Sequence, residues 1–106
     1  MLNAEECRRT SDELTRNLSV SGLTPAEVAA DLGYSPRRLA STLAVDGPTD
    51  PVDVWQLRDY LEQAVRDAGQ TPVPFTVLTE RSRSAAVSWF RLRSAPHHDF
   101  TAAGVV

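Results

Sequence analysis

Apolar residues recur at helical spacing through the first two thirds of this chain, and the pattern changes in the last third. Over residues 4–18, Cys7, Leu14 and Leu18 fall near one face with charged residues between them, which predicts a first helix ending before Ser21-Gly22. A second, short helix is predicted over 25–32. Thr24 suits the N-cap, Pro25 the first helical position, and Glu27 completes a Thr-x-x-Glu capping box. Val28, Ala29 and Leu32 share one face of it, while Glu27 and Asp31 point away. Gly33 then ends the helix, because glycine accepts the left-handed conformation of a tight exit.

A third helix is predicted over 36–44, with Ser35 as N-cap and Pro36 at the first position. Leu39 and Leu43 form its buried stripe, and the same wheel groups Arg37, Arg38 and Ser41 on the opposite side. A fourth is predicted over 51–68: Asp50 caps it, Pro51 opens it, and Asp53 adds negative charge where the helix dipole favours anions. Val54, Leu57, Leu61, Ala64, Val65 and Ala68 recur at the helical period, Trp55 and Tyr60 flank them, and Gly69 and Pro72 mark the stop. Beyond it, Phe75-Thr76-Val77-Leu78 is β-prone, and residues 87–93 alternate, with Trp89, Arg91 and Arg93 on one side and Phe90 and Leu92 on the other. This predicts a small hairpin over 75–93 with its loop at 81–86; a helix over 80–90 is the competing reading. Residues 95–106 are expected to form a flexible tail.

With 106 residues, the chain is expected to fold as one domain, residues 1–94, since domains usually run to about 100–150 residues. A 42% hydrophobic, 24% charged composition excludes collagen-like and grossly disordered classes. No apolar run approaches the roughly 18 residues of a membrane span, and the acidic N-terminus lacks the core of a secretory signal; a soluble, cytoplasmic protein is predicted. Cys7 is the sole cysteine, so neither an internal disulfide nor a cysteine zinc site is available.

All eleven basic residues are arginines, and the net charge is −3. Residues 1–47 carry seven acids against five arginines, and residues 48–72 five against two; the remainder carries two acids (Glu80, Asp99) against four arginines (Arg81, Arg83, Arg91, Arg93). A strongly basic footprint is therefore absent overall, and contact with nucleic acid has to come from local patches.

Candidate chemistry narrows quickly. The five glycines are scattered, so no phosphate-cradling loop is present. Cys7 reads as a small hydrophobe on the first helix, with no neighbouring base in sequence to activate it. His97-His98-Asp99 reads as surface rather than a metal site, since adjacent residues in a tail seldom close a coordination shell. The paired Glu5-Glu6 lie on a solvated helical face. No enzymatic role, cofactor, metal or small-molecule ligand is expected.

Two short helices joined by a glycine turn make a helix-turn-helix. The run Gly22-Leu23-Thr24-Pro25-Ala26-Glu27-Val28-Ala29-Ala30-Asp31-Leu32-Gly33-Tyr34-Ser35 resembles that motif in Cro/repressor-type regulators: Ala29 stands where close helix contact needs a small side chain, and Gly33 where the chain turns. Asp46-Gly47 resembles the ending of their third helix. The whole chain also resembles a family of small uncharacterised bacterial proteins, the domain-of-unknown-function family 2316. Ser21-Gly22-Leu23, Ala30-Asp31-Leu32-Gly33, Trp55 with Leu57-Arg58-Asp59-Tyr60-Leu61, Pro72-Val73-Pro74-Phe75-Thr76 and Trp89-Phe90 carry that likeness across most of residues 4–90. It implies that the fourth helix and the aromatic C-terminal piece belong to the same unit as the helix-turn-helix.

The resemblances imply a mostly α, lambda-repressor-like domain of four helices with a short C-terminal hairpin or extended segment, and a bacterial regulator that binds double-stranded DNA. Arg37, Arg38 and Ser41 would face the major groove, and Thr24, at the start of the second helix, the phosphates. Two departures from the Cro pattern bear on this. Pro25 stands where many such domains carry a phosphate-binding glutamine, and Pro36-Arg37-Arg38 replaces their usual mixture of Gln, Ser, Thr and Arg; arginine serves guanine or phosphate alike. Arg81, Arg83, Arg91 and Arg93 form a candidate auxiliary basic patch, and Trp89 and Phe90 a candidate packing or homodimer surface. The alternative is a protein-interaction module on the same scaffold without DNA binding.

Overall fold

The computed structural model describes residues 2–46 and 49–100. Gly47 and Pro48, read above as closing the third helical unit, lie outside the described residues, as do residues 101–106. Among the described residues five helices follow one another: α1 Ala4–Ser21, α2 Pro25–Leu32, α3 Pro36–Ala44, α4 Pro51–Asp67 and α5 Glu80–Trp89. The capping signals act as their chemistry requires. Thr24 Oγ1 accepts from the Glu27 N–H while the Glu27 carboxylate accepts from the Thr24 N–H, closing a capping box on α2. Ser35 and Asp50 cap α3 and α4 in the same way, each accepting a backbone N–H of the first turn. Gly33, at φ 72°, turns the chain out of α2 in the left-handed region that glycine alone enters without strain.

The centre of the molecule is α4. Leu57, Tyr60, Leu61 and Ala64 are 1% exposed or less, and Leu14 of α1, Val28 of α2 and Leu39 of α3 meet them in the core. α1 lies along α4, α3 packs on both, and α2 packs on α3. No helix among the described residues is long and apolar enough to cross a membrane.

The C-terminal third corrects the hairpin expectation. Among the described residues there is no strand: residues 80–89 are helical, and residues 71–79 and 91–99 are irregular. The cause lies in local caps and in competition for backbone partners. Thr79 Oγ1 accepts from the Ser82 N–H, the Ser82 hydroxyl donates to the Val77 carbonyl, and Glu80 pairs with Arg83 one turn on, so the expected hairpin loop is instead a capped first helical turn. The β-prone segment has its backbone satisfied by side chains instead of by a second strand. Asn17 exchanges two hydrogen bonds with the Val73 peptide (2.8 and 3.0 Å), Glu13 accepts from Thr76 N–H and hydroxyl (3.0 and 2.7 Å), and Arg58 Nε donates to the Leu78 carbonyl (3.0 Å). Arg58 itself is buried, stacked over Phe75 and paired with Asp59 and Glu62, so its charge is matched where water is excluded.

Residues 91–100 run back across the body as a strap. Gln56 donates to the Ser94 carbonyl and Gln63 to that of Ala95, while Leu92, Ala95 and Phe100 pack against the core. The start of the expected flexible tail is thus hydrogen-bonded to α4.

Candidate nucleic-acid interface

α3 is held by one side and offers the other. Leu39 and Thr42 are buried, whereas Pro36, Arg37, Ala40 and Ala44 are exposed. The outward face is therefore a row of small side chains with one guanidinium at its N-terminal end. Arg37 makes no ion pair among the described residues. Ser41 is half-buried at the edge of that face, and its carbonyl accepts from the Thr49 hydroxyl (3.0 Å). Thr24 is exposed at the start of α2, where its hydroxyl is engaged with Glu27.

Arg38 is placed differently from Arg37. Its Nε and one terminal nitrogen close a bidentate pair on the Asp53 carboxylate at 2.8 and 2.7 Å, and its guanidinium lies 4.0 Å from the centre of the Tyr34 ring. Tyr34 is itself buried and donates to Gln56 (2.8 Å). Asp53 also receives Arg93 from the strap, 2.6 Å from the Oδ1 that Arg38 contacts. The Arg38 pair holds the Asp53 carboxyl below the ordinary carboxylate range, against the opposing effect of burial. Burial, with Asp53 nearby, pushes the Tyr34 hydroxyl up to about 12. A groove of about 400 Å³ runs here between the starts of α3 and α4, with Arg37, Arg38, Ser41, Asp50 and Asp53 among its lining residues.

The auxiliary arginines divide in two. Arg83 is tied to Asp59 and Glu80 and stacks over Trp55, so it fastens α5 to α4. Arg93 belongs to the Asp53 cluster. Arg81 and Arg91 are exposed and carry no ion pair among the described residues. Trp89 is 82% exposed, with Val87 and Phe90 beside it also exposed, and no residue of α5 is buried.

The two histidines serve the strap. His97 Nδ1 lies 2.7 Å from Asp67, and His98 Nδ1 lies 2.7 Å from the Asp31 oxygen that also accepts from the Tyr60 hydroxyl. No group of three or more candidate metal ligands occurs among the described residues. Cys7 is half-buried, with its Sγ 4.0 Å from the Leu2 carbonyl oxygen.

Asp53 is the member of this cluster that sequence reasoning assigned only to the helix dipole. A signal was present: Asp53, Leu57, Tyr60 and Ala64 follow the 4-3-4 spacing of one helix face, so an acid stands in the buried stripe of α4. An acid in that register calls for a cation across the packing surface.

No significant match to this chain occurs among curated proteins or solved structures. A family model does match, over residues 1–91, which takes in α1 to α5 and the arginines of α3, and the chain therefore belongs to the family described as uncharacterized protein conserved in bacteria (DUF2316).

Proposed function

We propose that the protein is a DNA-binding transcriptional regulator in which α2, the Gly33 turn and α3 form a helix-turn-helix. The observation that carries this reading is the outward face of α3. Leu39 and Thr42 anchor the helix, while exposed Arg37, Ala40 and Ala44 leave a slim, singly charged edge of the kind that enters a major groove. The positive dipole end of α3 lies beside Arg37, which favours phosphate. Arg38 has a secondary part: its bidentate pair with Asp53 sets α3 against α4 and leaves about two fifths of the side chain exposed. One copy presents few contacts, so the regulator acts as a homodimer on two half-sites about one helical turn apart.

Genomic fragment selection with the purified chain at about 50 mM salt tests the reading, since phosphate contacts are strongest at low salt. Retention of a discrete set of fragments, weakened in Arg37→Ala, supports it. Absence of any salt-dependent retention by the wild type ends it. One observation favours a second reading, a protein-interaction module on the same scaffold: Trp89 stands 82% exposed on a helix with no fully buried residue. A stable protein partner lost in Trp89→Ala, with no DNA retained, would establish that alternative.

A further inference from the structure

We infer that the segment following α5, residues 89–93, is a second DNA-contacting element, joined to α3 through Asp53 so that the two present one composite surface to the phosphate backbone. The inference rests on the DNA-binding reading and adds a part of the surface that α3 does not contain.

The geometry begins at Asp53 Oδ1, which lies 2.7 Å from an Arg38 nitrogen and 2.6 Å from an Arg93 nitrogen. Two guanidinium groups fifty-five residues apart in sequence therefore meet on one oxygen of a carboxylate that is itself 7% exposed. A single carboxylate neutralises only one of them. Both arginines keep their outer portions in water, with side-chain exposures of 39% and 49%, so the excess positive charge faces outward. Arg91 lies two residues before Arg93, within about 7 Å along even a fully extended backbone. It is exposed and without an ion pair among the described residues, as is Arg37 on the α3 side. Arg37 and Arg38 line the groove that holds Asp50 and Asp53, Arg93 reaches Asp53 from the strap and Arg91 lies two residues before it, so four arginines stand against two acids in a chain whose net charge is −3.

Charge complementarity selects the occupant. The surface suits an extended polyanion that can touch α3 and the strap together, and duplex DNA seated on α3 supplies a phosphate backbone at its flank. Trp89 completes the segment: its ring stands clear of the body, where it can lie against a deoxyribose or a groove edge. The apolar part of the surface is only Val87, Trp89 and Phe90, far short of the roughly 800 Å² per partner of a stable protein interface, so a second copy is the weaker candidate.

The experiment uses the full chain and a labelled duplex carrying the tightest fragment from the genomic selection, with binding measured at several salt concentrations. Each lost phosphate contact reduces the slope of log K against log salt by about 0.9. Arg91→Ala and Arg91→Gln are expected to lower the slope by about that amount with unchanged thermal melting, because Arg91 has no ion pair among the described residues. Arg93→Ala should lower it too, with melting followed in parallel, and Arg93→Lys should restore most of the loss. If Arg37→Ala reduces the slope while both Arg91 variants leave it at the wild-type value, α3 binds alone: the inference fails and the DNA-binding reading stands. If Arg91→Ala changes the sedimentation of the free protein and leaves the slope untouched, the segment is an interface between copies and the inference is overturned. If the wild type shows no salt-dependent binding, both fall together.

Discussion

Arg38 on α3 and Asp53 on α4 form a bidentate pair, 2.7 and 2.8 Å, that spans the packing surface between the two helices. It couples the candidate recognition helix to the central helix of the core, and Arg93 brings the C-terminal strap to the same carboxylate. Replacing Asp53 by alanine leaves two partly buried guanidinium groups without their counter-ion. Water already screens the outer part of each, so the expected loss is about 1–2 kcal/mol rather than the larger cost of a fully buried pair. Urea unfolding of Asp53→Ala and Asp53→Asn checks this, and stabilities equal to the wild type at neutral pH would show that the pair contributes nothing.

The same pair makes stability acid-sensitive. The Asp53 carboxyl titrates below its ordinary value because the Arg38 hydrogen bonds favour its ionised form. Its contribution is therefore present above the unfolded value of about 3.9 and is lost as pH falls through the lower folded-state value. Denaturant unfolding from about pH 6 down to about pH 2 should show the wild type losing its advantage over Asp53→Asn at the acid end. An advantage that stays constant over that range contradicts the assignment.

At alkaline pH the tyrosines act in the opposite sense. Burial pushes the Tyr34 hydroxyl up to about 12, and burial with the Asp31 hydrogen bond raises Tyr60 as well. Below about pH 10 both folded and unfolded chains keep these protons, and the shifts have no effect. Above it the unfolded chain ionises first, so stability falls as pH rises from about 10 to 12. Phenolate absorbance should appear together with loss of helical circular dichroism; ionisation of both tyrosines at the ordinary value in a folded chain would refute the burial argument.

Asn17 substitutes for a neighbouring strand. Its amide bonds both the N–H and the carbonyl of Val73, fifty-six residues away, and is itself fully buried. Asn17→Ala removes both bonds and leaves the Val73 peptide short of partners, at an expected cost of about 2–3 kcal/mol. Amide exchange at Val73 should accelerate beyond the change in global stability; unaltered protection there would show that the segment is held by other contacts.

Trp89→Ala provides the contrast. The ring is 82% exposed, so unfolding free energy should stay within about 0.5 kcal/mol of the wild type, whereas Leu57→Ala, at a fully buried position, should cost about 2–5 kcal/mol. Thermal and urea unfolding distinguish them. A large loss in Trp89→Ala would mean that the indole is buried against something in solution.

Four helices were legible because their signals are short-range. The Thr24–Glu27 capping box, the proline after each cap at 25, 36 and 51, the Gly33 exit and the 3.6-residue apolar period all act within a few residues, and each appears where it was read. The fifth helix was read as a hairpin, with a helix over 80–90 competing, because the alternation over 87–93 is a strand signal; the Thr79 cap and the Glu80–Arg83 pair are local helix signals, and the contacts that replace a strand partner are distant. Glu13 and Asn17 of α1 satisfy the backbone of 73–76, which removes the need for a strand partner.

Charge follows the same division. Composition established that positive charge had to be local, and the wheel of α3 grouped Arg37 with Arg38. Their separation into an outward cation and one bound by Asp53 is a property of how α3 lies on α4. The arrival of Arg93 at that carboxylate depends on the return path of the strap. Caps, turns and periodicity are encoded by neighbours in the chain and can be read there. The pairing of Asp53 with two arginines exists only once packing has brought those residues to one place.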